Sequence, residues 1–443
     1  MTMLLADWLA RLERLHPQAI EMGLDRVRAV AQRLDLAMHC PTVIVAGTNG
    51  KGSTCAMLAS VLRAAGYRAG LYTSPHLLDF NERARIDGVP ARDVDLVAQF
   101  EAVEAARGGT SLTYFEFTTL AVLRLFAQAG LDAAVLEVGL GGRLDAVNLV
   151  DADVAIVTSV DIDHVDYLGA TRDAIGWEKA HVYRAGQPAI CCDPQPPASL
   201  LDHAAAIGAD LWRFGPDFSY EGSAEQRGQQ WAYVGRNLRR SGLPYPALRG
   251  TNQLLNAAGA LAALEALGER LPVSQQAVRH GLLTVELPAR FQVLPGRPTV
   301  ILDVAHNPHA AAVLAANLDS MGYFPTTHAV FGMLRDKDIA GVIHRVVPHI
   351  DHWHVGATHG PRGAAAEDVA QLLRAATEGS IRQPSISTYE SVADACRAAL
   401  EHATPDDRIL AFGSFLTVAD VMRALRESTA RCAQPGAQSE LRG

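Results

Sequence analysis

The segment from Thr42 to Thr54, TVIVAGTNGKGST, constrains the fold more than any other part of the chain. Thr42-Val43-Ile44-Val45-Ala46 is a β-branched run that reads as a buried strand, and it passes directly into a glycine-rich turn with one lysine. Apolar residues at Met57, Leu58, Val61 and Leu62 then recur with helical spacing. A strand–loop–helix of this kind aims backbone N–H groups and a helix N-terminus at a bound anion. Thr48, Asn49, Gly50, Lys51, Gly52 and Ser53 are therefore candidates for a nucleotide-phosphate cradle, with Lys51 the mobile charge for the β- and γ-phosphates. The pattern departs from the usual G-x-x-x-x-G-K-[ST]: Val45 takes the first glycine position and Gly52 separates Lys51 from Ser53. The hydroxyl that normally holds magnesium is displaced by one residue, which leaves a metal to find its ligands elsewhere. A glycine-rich turn with no ligand is the alternative.

A chain of 443 residues is too long for one ordinary core, so two or three domains are expected. A net charge of −9, with no basic tract to oppose it, argues against a nucleic-acid partner. Charge or glycine interrupts every apolar stretch before about 18 residues, so no membrane span is expected. Met1 to Leu15 carries Asp7, Arg11, Glu13 and Arg14 in an amphipathic pattern unlike a signal peptide. Cys40, Cys55, Cys191, Cys192, Cys396 and Cys432 form no C-x-x-C pair and read as reduced thiols of a cytoplasmic protein.

Strands come singly, with helices between them. Ala133 to Val138, Val154 to Ser159 and Pro188 to Cys192 are strand-like, which predicts a parallel sheet covered on both faces. Leu211 to Leu248 alternates aromatic and polar residues and suggests a few antiparallel strands; helices follow at Asn252 to Leu267 and around Ser274 to Leu282. The fold class is thus α/β: a P-loop NTPase-like parallel-sheet N-terminal domain over 1–287, and a smaller doubly wound, Rossmann-like C-terminal domain over 299–425. Residues 288–298, with Pro295-Gly296-Arg297-Pro298, read as the linker between them. In the second domain, Thr299 to Asp303, His328 to Phe331, His352 to Val355 and Ile409 to Phe412 are strand-like, and helical patterns alternate with them. Residues 426–443 read as a flexible tail.

Three polar clusters follow strand-like runs, where ligands collect in open parallel sheets. Glu137, ahead of Val138-Gly139-Leu140-Gly141-Gly142, could hold Mg²⁺ or be satisfied by backbone donors. Asp161, Asp163, His164 and Asp166 could coordinate metal or cap the next helix. Asp303 and His306 suit a nucleotide, while Asn307-Pro308 also suits a helix N-terminus. Lys179, in Trp177-Glu178-Lys179-Ala180, is by chemistry alone a solvated helix lysine.

Taken in order, these blocks resemble the folylpolyglutamate synthase/dihydrofolate synthase family of the Mur-ligase superfamily. The resemblance runs from Gly23-Leu24-Asp25-Arg26-Val27 to Gly413-Ser414. It rests on Gly47 to Ser53, Thr73-Ser74-Pro75-His76, Thr113-Tyr114-Phe115-Glu116, the Glu137 block, Asp163-His164, Glu178-Lys179 and Asp303 to Pro308. It implies that Ser74, Glu137 and His164 are metal ligands, and that Lys179 is carried as a carbamate able to bind a second Mg²⁺. It implies nucleotide contacts at Asn256, Arg290 and Asp303, and a phosphate-side role for His306. Ile20, Glu21, Met22, the run Thr113, Tyr114, Phe115, Glu116, and Leu144, Asp145 and Ala146 match a dihydropteroate site, the last three resembling the bifunctional bacterial form. Val147 stands where the family commonly has threonine.

The implied chemistry is carboxylate activation: ATP phosphorylates dihydropteroate or a folate's terminal glutamate, and glutamate's amine attacks the acyl phosphate, giving an amide, ADP and phosphate. Lys51, the loop amides and two Mg²⁺ would offset charge on the transferring phosphoryl, and closure of the second domain would exclude water. Lys51, His306 and Lys179 are the expected catalytic residues. A monofunctional folylpolyglutamate synthase is the alternative. A cell-wall Mur ligase would carry a further N-terminal domain, for which the about 40 residues before the loop are too few. A nucleotide-driven switch or motor would show partner-binding segments not found here. The expected partners are small molecules (ATP, dihydropteroate, reduced folates, L-glutamate), with no nucleic acid or membrane, and the expected state is a monomer.

Overall fold

The computed structural model describes residues 3–18, 20–222, 230–379 and 383–432. Two units emerge, Met1–Ala247 with Asn252–Leu287, and Leu248–Thr251 with Pro288–Gly443.

In the first unit the strands are β1 (Thr42–Ala46), β2 (Ala69–Tyr72), β3 (Ala84–Ile86), β4 (Val89–Pro90), β5 (Ala133–Glu137), β6 (Val154–Val157), β7 (Pro188–Cys191) and β8 (Asp210–Arg213). They form one sheet in the order β4-β3-β2-β5-β1-β6-β7-β8. From β2 to β8 every pairing is parallel; β3 and β4 add an antiparallel edge. Every residue of β1 and β5 is buried, as a parallel sheet covered on both faces requires, which is why both read as unbroken apolar runs. The Lys51–Ala64 helix crosses the Gln275–Thr284 helix so closely that a β-carbon on Gly281 would lie 2.5 Å from Val61 Cα, while Ser60 Oγ donates to Gly281 O at 2.8 Å. Overpacking that crossing with alanine would cost about 1–3 kcal/mol. The amphipathic N-terminus is the Leu5–Leu12 helix, whose Trp8 meets Phe100 edge-on at 6.0 Å.

The aromatic–polar stretch after Leu211 divides. Asp210–Arg213 extends the large sheet, and β9 (Ser219–Glu221), β10 (Trp231–Val234) and β11 (Arg239–Leu243) make a separate antiparallel sheet.

The second unit holds β12 (Gln292–Leu294), β13 (Thr299–Leu302), β14 (Thr327–Phe331), β15 (His352–Gly356), β16 (Ser385–Tyr389) and β17 (Arg408–Phe412), ordered β12-β13-β17-β14-β15-β16. All pairings are parallel except β12 with β13. The stretch read as a linker therefore contains a strand. The segment read as a tail is helical at its start, because the Phe415–Cys432 helix runs past Arg426; its remainder, 433–443, lies outside the described residues. Phe331, Trp353 and Phe412 pack together at the centre of this unit's core.

Candidate active site

Strands β5, β1 and β6 lie side by side, with Val45 registered on Glu137 and Ala46 on Val157. The turn after Ala46, the glycines after Glu137 and the aspartates after Val157 therefore leave one edge of one sheet.

The turn after β1 is fixed by its neighbours. Gly47 (φ +145°) and Gly50 (φ +86°) both adopt backbone that favours glycine. A β-carbon on Gly47 would fall 1.9 Å from Thr158 Oγ1. Thr158 Oγ1 donates to Asn49 O at 2.6 Å, Thr48 N donates to Ser159 O at 2.8 Å, and Asn49 N donates to Ser159 Oγ at 3.1 Å. Thr158 and Ser159, which read as strand, leave β6 after Val157 and hold the loop instead. Lys51 Nζ donates to Gly47 O at 3.0 Å and Thr48 O at 3.2 Å, so its charge sits over the turn. Gly52 and Ser53 are buried in the first turn of the following helix.

Ser74 N donates to Glu137 Oε2 at 3.1 Å, bringing the ends of β2 and β5 together. Asp161 and Asp163 each accept from the next residue's N–H, at 2.7 and 2.8 Å, and His164 (φ +52°) opens the Val165–Leu168 helix with its Nε2 3.9 Å from Asp163 Oδ2. The Arg172–Ala180 helix is capped by Thr171, not by an aspartate. It carries Lys179, which is buried rather than solvated. Burial, reinforced by the nearby Lys51 charge, pushes the Lys179 pKa down to about 7 against the pull of Asp163, Asp145 and Glu178. A hydroxyl, a carboxylate and an imidazole suit a divalent cation; a lysine ammonium does not, but an anionic lysine adduct would. Among the described residues no group of three His, Cys, Asp or Glu side chains is arranged to hold a metal, so such a set depends on Ser74 and Lys179.

The segments read as acceptor-binding converge in the same unit. Thr113 and Glu116 form a reciprocal cap on the Tyr114–Gln128 helix, with Glu116 N to Thr113 Oγ1 at 3.2 Å and Thr113 N to Glu116 Oε2 at 2.7 Å. Arg26 Nη2 donates to Glu116 Oε1 at 2.9 Å, and Arg26 also pairs with Glu21, which His16 Nε2 meets at 3.0 Å. Arg26 was not among the expected site residues; with Arg28 two positions on, the sequence carries no signal that singles it out. Phe115 stacks with Tyr72 at 6.4 Å and lies so near Gly139 that a β-carbon there would be 2.5 Å from its ring. Met22 Cε would be 3.7 Å from a β-carbon on Gly141. Arg83 lies over the Tyr114 ring at 5.5 Å. Ile20 and Leu144 are half-buried and Ala146 is buried. Asp145 accepts from Leu140 N at 2.7 Å and Val147 N at 2.9 Å; burial pushes its pKa up to about 6, with these donors opposing. Asn256, on the Gln253–Ala266 helix, faces Gly50.

In the second unit, Asp303 accepts from Phe291 N at 2.8 Å and Ala305 N at 2.7 Å, and burial raises its pKa. Arg290 stands between two residues of positive φ, Ala289 (+60°) and Phe291 (+44°), with its guanidinium 5.0 Å from the Phe415 ring. His306 Nδ1 lies 2.8 Å from Val304 O and its ring is 6.3 Å from Phe415. Asn307 caps the Pro308–Asp319 helix through Ala310 N, as the Asn-Pro pair predicts. Phe415 escaped the sequence reading because an aromatic after Gly413-Ser414 carries no distinctive signal.

Residues 45–264 match the Mur ligase middle domain, and residues 289–415 match the Mur ligase, glutamate ligase domain. The dihydrofolate synthase/folylpolyglutamate synthase of Escherichia coli strain K12 is 46% identical over 422 residues, covering 95% of each chain. That of Haemophilus influenzae is 41% identical over 437 residues, covering 94% of this chain and 96% of the relative. The structure of E. coli FolC in complex with DHPP and ADP aligns with a TM-score of 0.90 at 44% identity, over 96% of this chain and 99% of that one. A bifunctional folylpolyglutamate synthase/dihydrofolate synthase with Mn, AMPPNP and L-glutamate bound aligns with a TM-score of 0.87 at 45% identity, over 96% and 98%. The fold is that of the Mur ligases. Within them, the chain belongs to the dihydrofolate synthase/folylpolyglutamate synthase family.

Proposed function

We propose that this enzyme ligates L-glutamate to dihydropteroate, giving dihydrofolate, and to reduced folates, giving folylpolyglutamates, with ATP converted to ADP and phosphate. The observation that carries this reading is the convergence, at one sheet edge, of the Lys51 turn, the Glu137 carboxylate and the acceptor segment around Asp145, in a chain 46% identical to a relative of that name. The acceptor carboxylate attacks the γ-phosphorus and ADP leaves; glutamate's amine then displaces phosphate from the acyl phosphate.

The turn from Thr48 to Ser53, with Asn256, holds the nucleotide, and Lys51 compensates charge on the transferring phosphoryl. Arg290, Asp303 and His306 are assigned to the nucleotide and phosphate from the second unit's sequence. Ser74, Glu137, His164 and Lys179 would hold Mg²⁺, two ions in all, Lys179 as a carbamate. When bound, the metal polarises phosphoryl oxygens. An amine with a pKa near 7 is substantially neutral at physiological pH, and the neutral amine is the form that adds CO₂. Ile20, Glu21, Met22, Thr113 to Glu116 and Leu144 to Ala146 receive the acceptor. No helix among the described residues is long and apolar enough to cross a membrane, and Cys40, Cys55, Cys191, Cys192 and Cys396 are free thiols, which supports a cytoplasmic reading. A monomer goes with it.

ADP release with ATP, Mg²⁺ and glutamate, adding dihydropteroate or tetrahydrofolate in turn, tests the reading. Glutamate-dependent turnover with both supports it; turnover with tetrahydrofolate alone reduces the enzyme to a folylpolyglutamate synthase, and turnover with neither rejects the ligase.

A further inference from the structure

The loop that carries Leu144, Asp145 and Ala146 is bound at both ends to the helix that carries Lys179. At its start, a β-carbon on Gly142 would lie 2.7 Å from Glu178 O and 3.0 Å from Lys179 Cα, so loop and helix backbones touch. Arg143 N donates to Glu178 O at 2.9 Å. The Arg143 guanidinium then forks onto the Glu178 carboxylate, Nη2 donating to Oε1 at 2.9 Å and Nε shared between Oε1 at 3.1 Å and Oε2 at 3.3 Å, and lies 4.8 Å from the Trp177 ring. At the far end, Asn148 Nδ2 donates to Arg143 O and to His181 O, both at 3.2 Å, and its own Oδ1 accepts from Arg184 Nη2 at 3.0 Å.

A solvated ion pair adds little to stability, but a two-point fork seated on an indole and backed by main-chain bonds fixes geometry. We infer that Arg143 is a positioning residue, which locks the acceptor loop to the Lys179 helix so that both present their groups as one rigid body. The inference rests on the function proposed above. The phosphate turn is held by Thr158, Ser159 and Asn256, whereas the Arg143 side chain bonds to Glu178 beside Trp177, so the clamp acts on the acceptor loop and the Lys179 helix rather than on the turn. An acceptor that must first order this loop binds more weakly.

Arg143→Met keeps an apolar stem over Trp177 and removes the fork. It should raise the KM for dihydropteroate and for tetrahydrofolate by about tenfold, while the KM for ATP stays within about twofold. Glu178→Gln should do the same, and the double variant should be no worse than either single one, because both act through one contact. Acceptor affinity measured by calorimetry should fall in parallel, as should the ¹³C signal of a Lys179 carbamate formed from labelled bicarbonate. Arg143→Lys retains the charge without the fork and should raise the acceptor KM by a smaller factor; it also serves if the methionine variant does not fold. An unchanged acceptor KM, an equal rise in the KM for ATP, or additive effects of the two substitutions would overturn the clamp. Absence of the ¹³C signal in the unaltered protein rejects the carbamate alone, since the acceptor KM tests the clamp without it.

Discussion

Asn256 closes over Gly50 so tightly that a β-carbon at position 50 would lie 2.6 Å from the Asn256 side-chain oxygen. The left-handed backbone at Gly50 starts the Lys51–Ala64 helix and turns the loop amides together. Gly50→Ala should therefore meet both a clash and about 1–2 kcal/mol of backbone strain. The expected result is ADP affinity reduced at least about tenfold by calorimetry, with acceptor affinity retained. Wild-type ADP affinity would show that the turn is not the nucleotide cradle.

Asp145 organises the acceptor loop by accepting two N–H groups on separate oxygens. Its pKa is raised to about 6, above the ordinary 3.8, so the folded state holds the proton more tightly than the unfolded one. Its contribution to stability is full below pH 3.8 and declines as pH rises towards 6. Asp145→Asn removes that cost but turns an amide NH₂ towards one of the two donors. Thermal unfolding should therefore show a smaller loss between pH 4 and 6 for the variant, while its acceptor KM rises.

Lys179 near pH 7 predicts an acid limb in activity. Below that pH the amine is increasingly an ammonium and cannot add CO₂, so added bicarbonate should accelerate turnover more at pH 6.5 than at pH 8. Lys179→Arg, permanently charged, should lose about 100-fold or more in kcat while still binding ADP. A bicarbonate-independent rate with no acid limb would count against the adduct.

A histidine stack in the second unit should make it sensitive to acid. His328 Nδ1 and His354 Nε2 lie 3.2 Å apart, His352 stacks on His328 at 4.8 Å, and His402 stacks on His354 at 5.7 Å. Burial, with the charges of His328, His402 and His352, pushes the His354 pKa down to about 4. The unfolded chain takes up that proton first, near pH 6.5, so the stability His354 lends above pH 6.5 is lost as pH falls towards 4. Hydrogen exchange in His352–Gly356 should accelerate from pH 7 to 5 beyond its intrinsic pH dependence, and less so in His354→Gln. Equal acceleration in both would place the acid sensitivity elsewhere.

What was legible in the sequence follows from local physics. The phosphate turn could be read because a β-branched run, a glycine turn and a helix are contiguous, and the Asn307-Pro308 cap because its rule spans three residues. Gln292–Leu294 was hidden between prolines and is only three residues long, and Ser385–Tyr389 is an edge strand of alternating, partly exposed residues with little apolar signal. The burial of Lys179 could not be read from its own helix, since loops far away in sequence provide it. Arg143 on Glu178 and Arg26 on Glu116 are likewise pairs that only the tertiary fold brings together.

The central claim, that an acceptor carboxylate is phosphorylated before glutamate attacks, is tested most directly with dihydropteroate carrying ¹⁸O at both carboxylate oxygens. Attack of that carboxylate on the γ-phosphorus leaves its oxygen bridging carbon and phosphorus, and displacement by the amine releases it with phosphate. We predict one ¹⁸O in the phosphate released per dihydrofolate formed, read by mass spectrometry. Unlabelled phosphate accompanying labelled acceptor consumption would contradict the acyl-phosphate route.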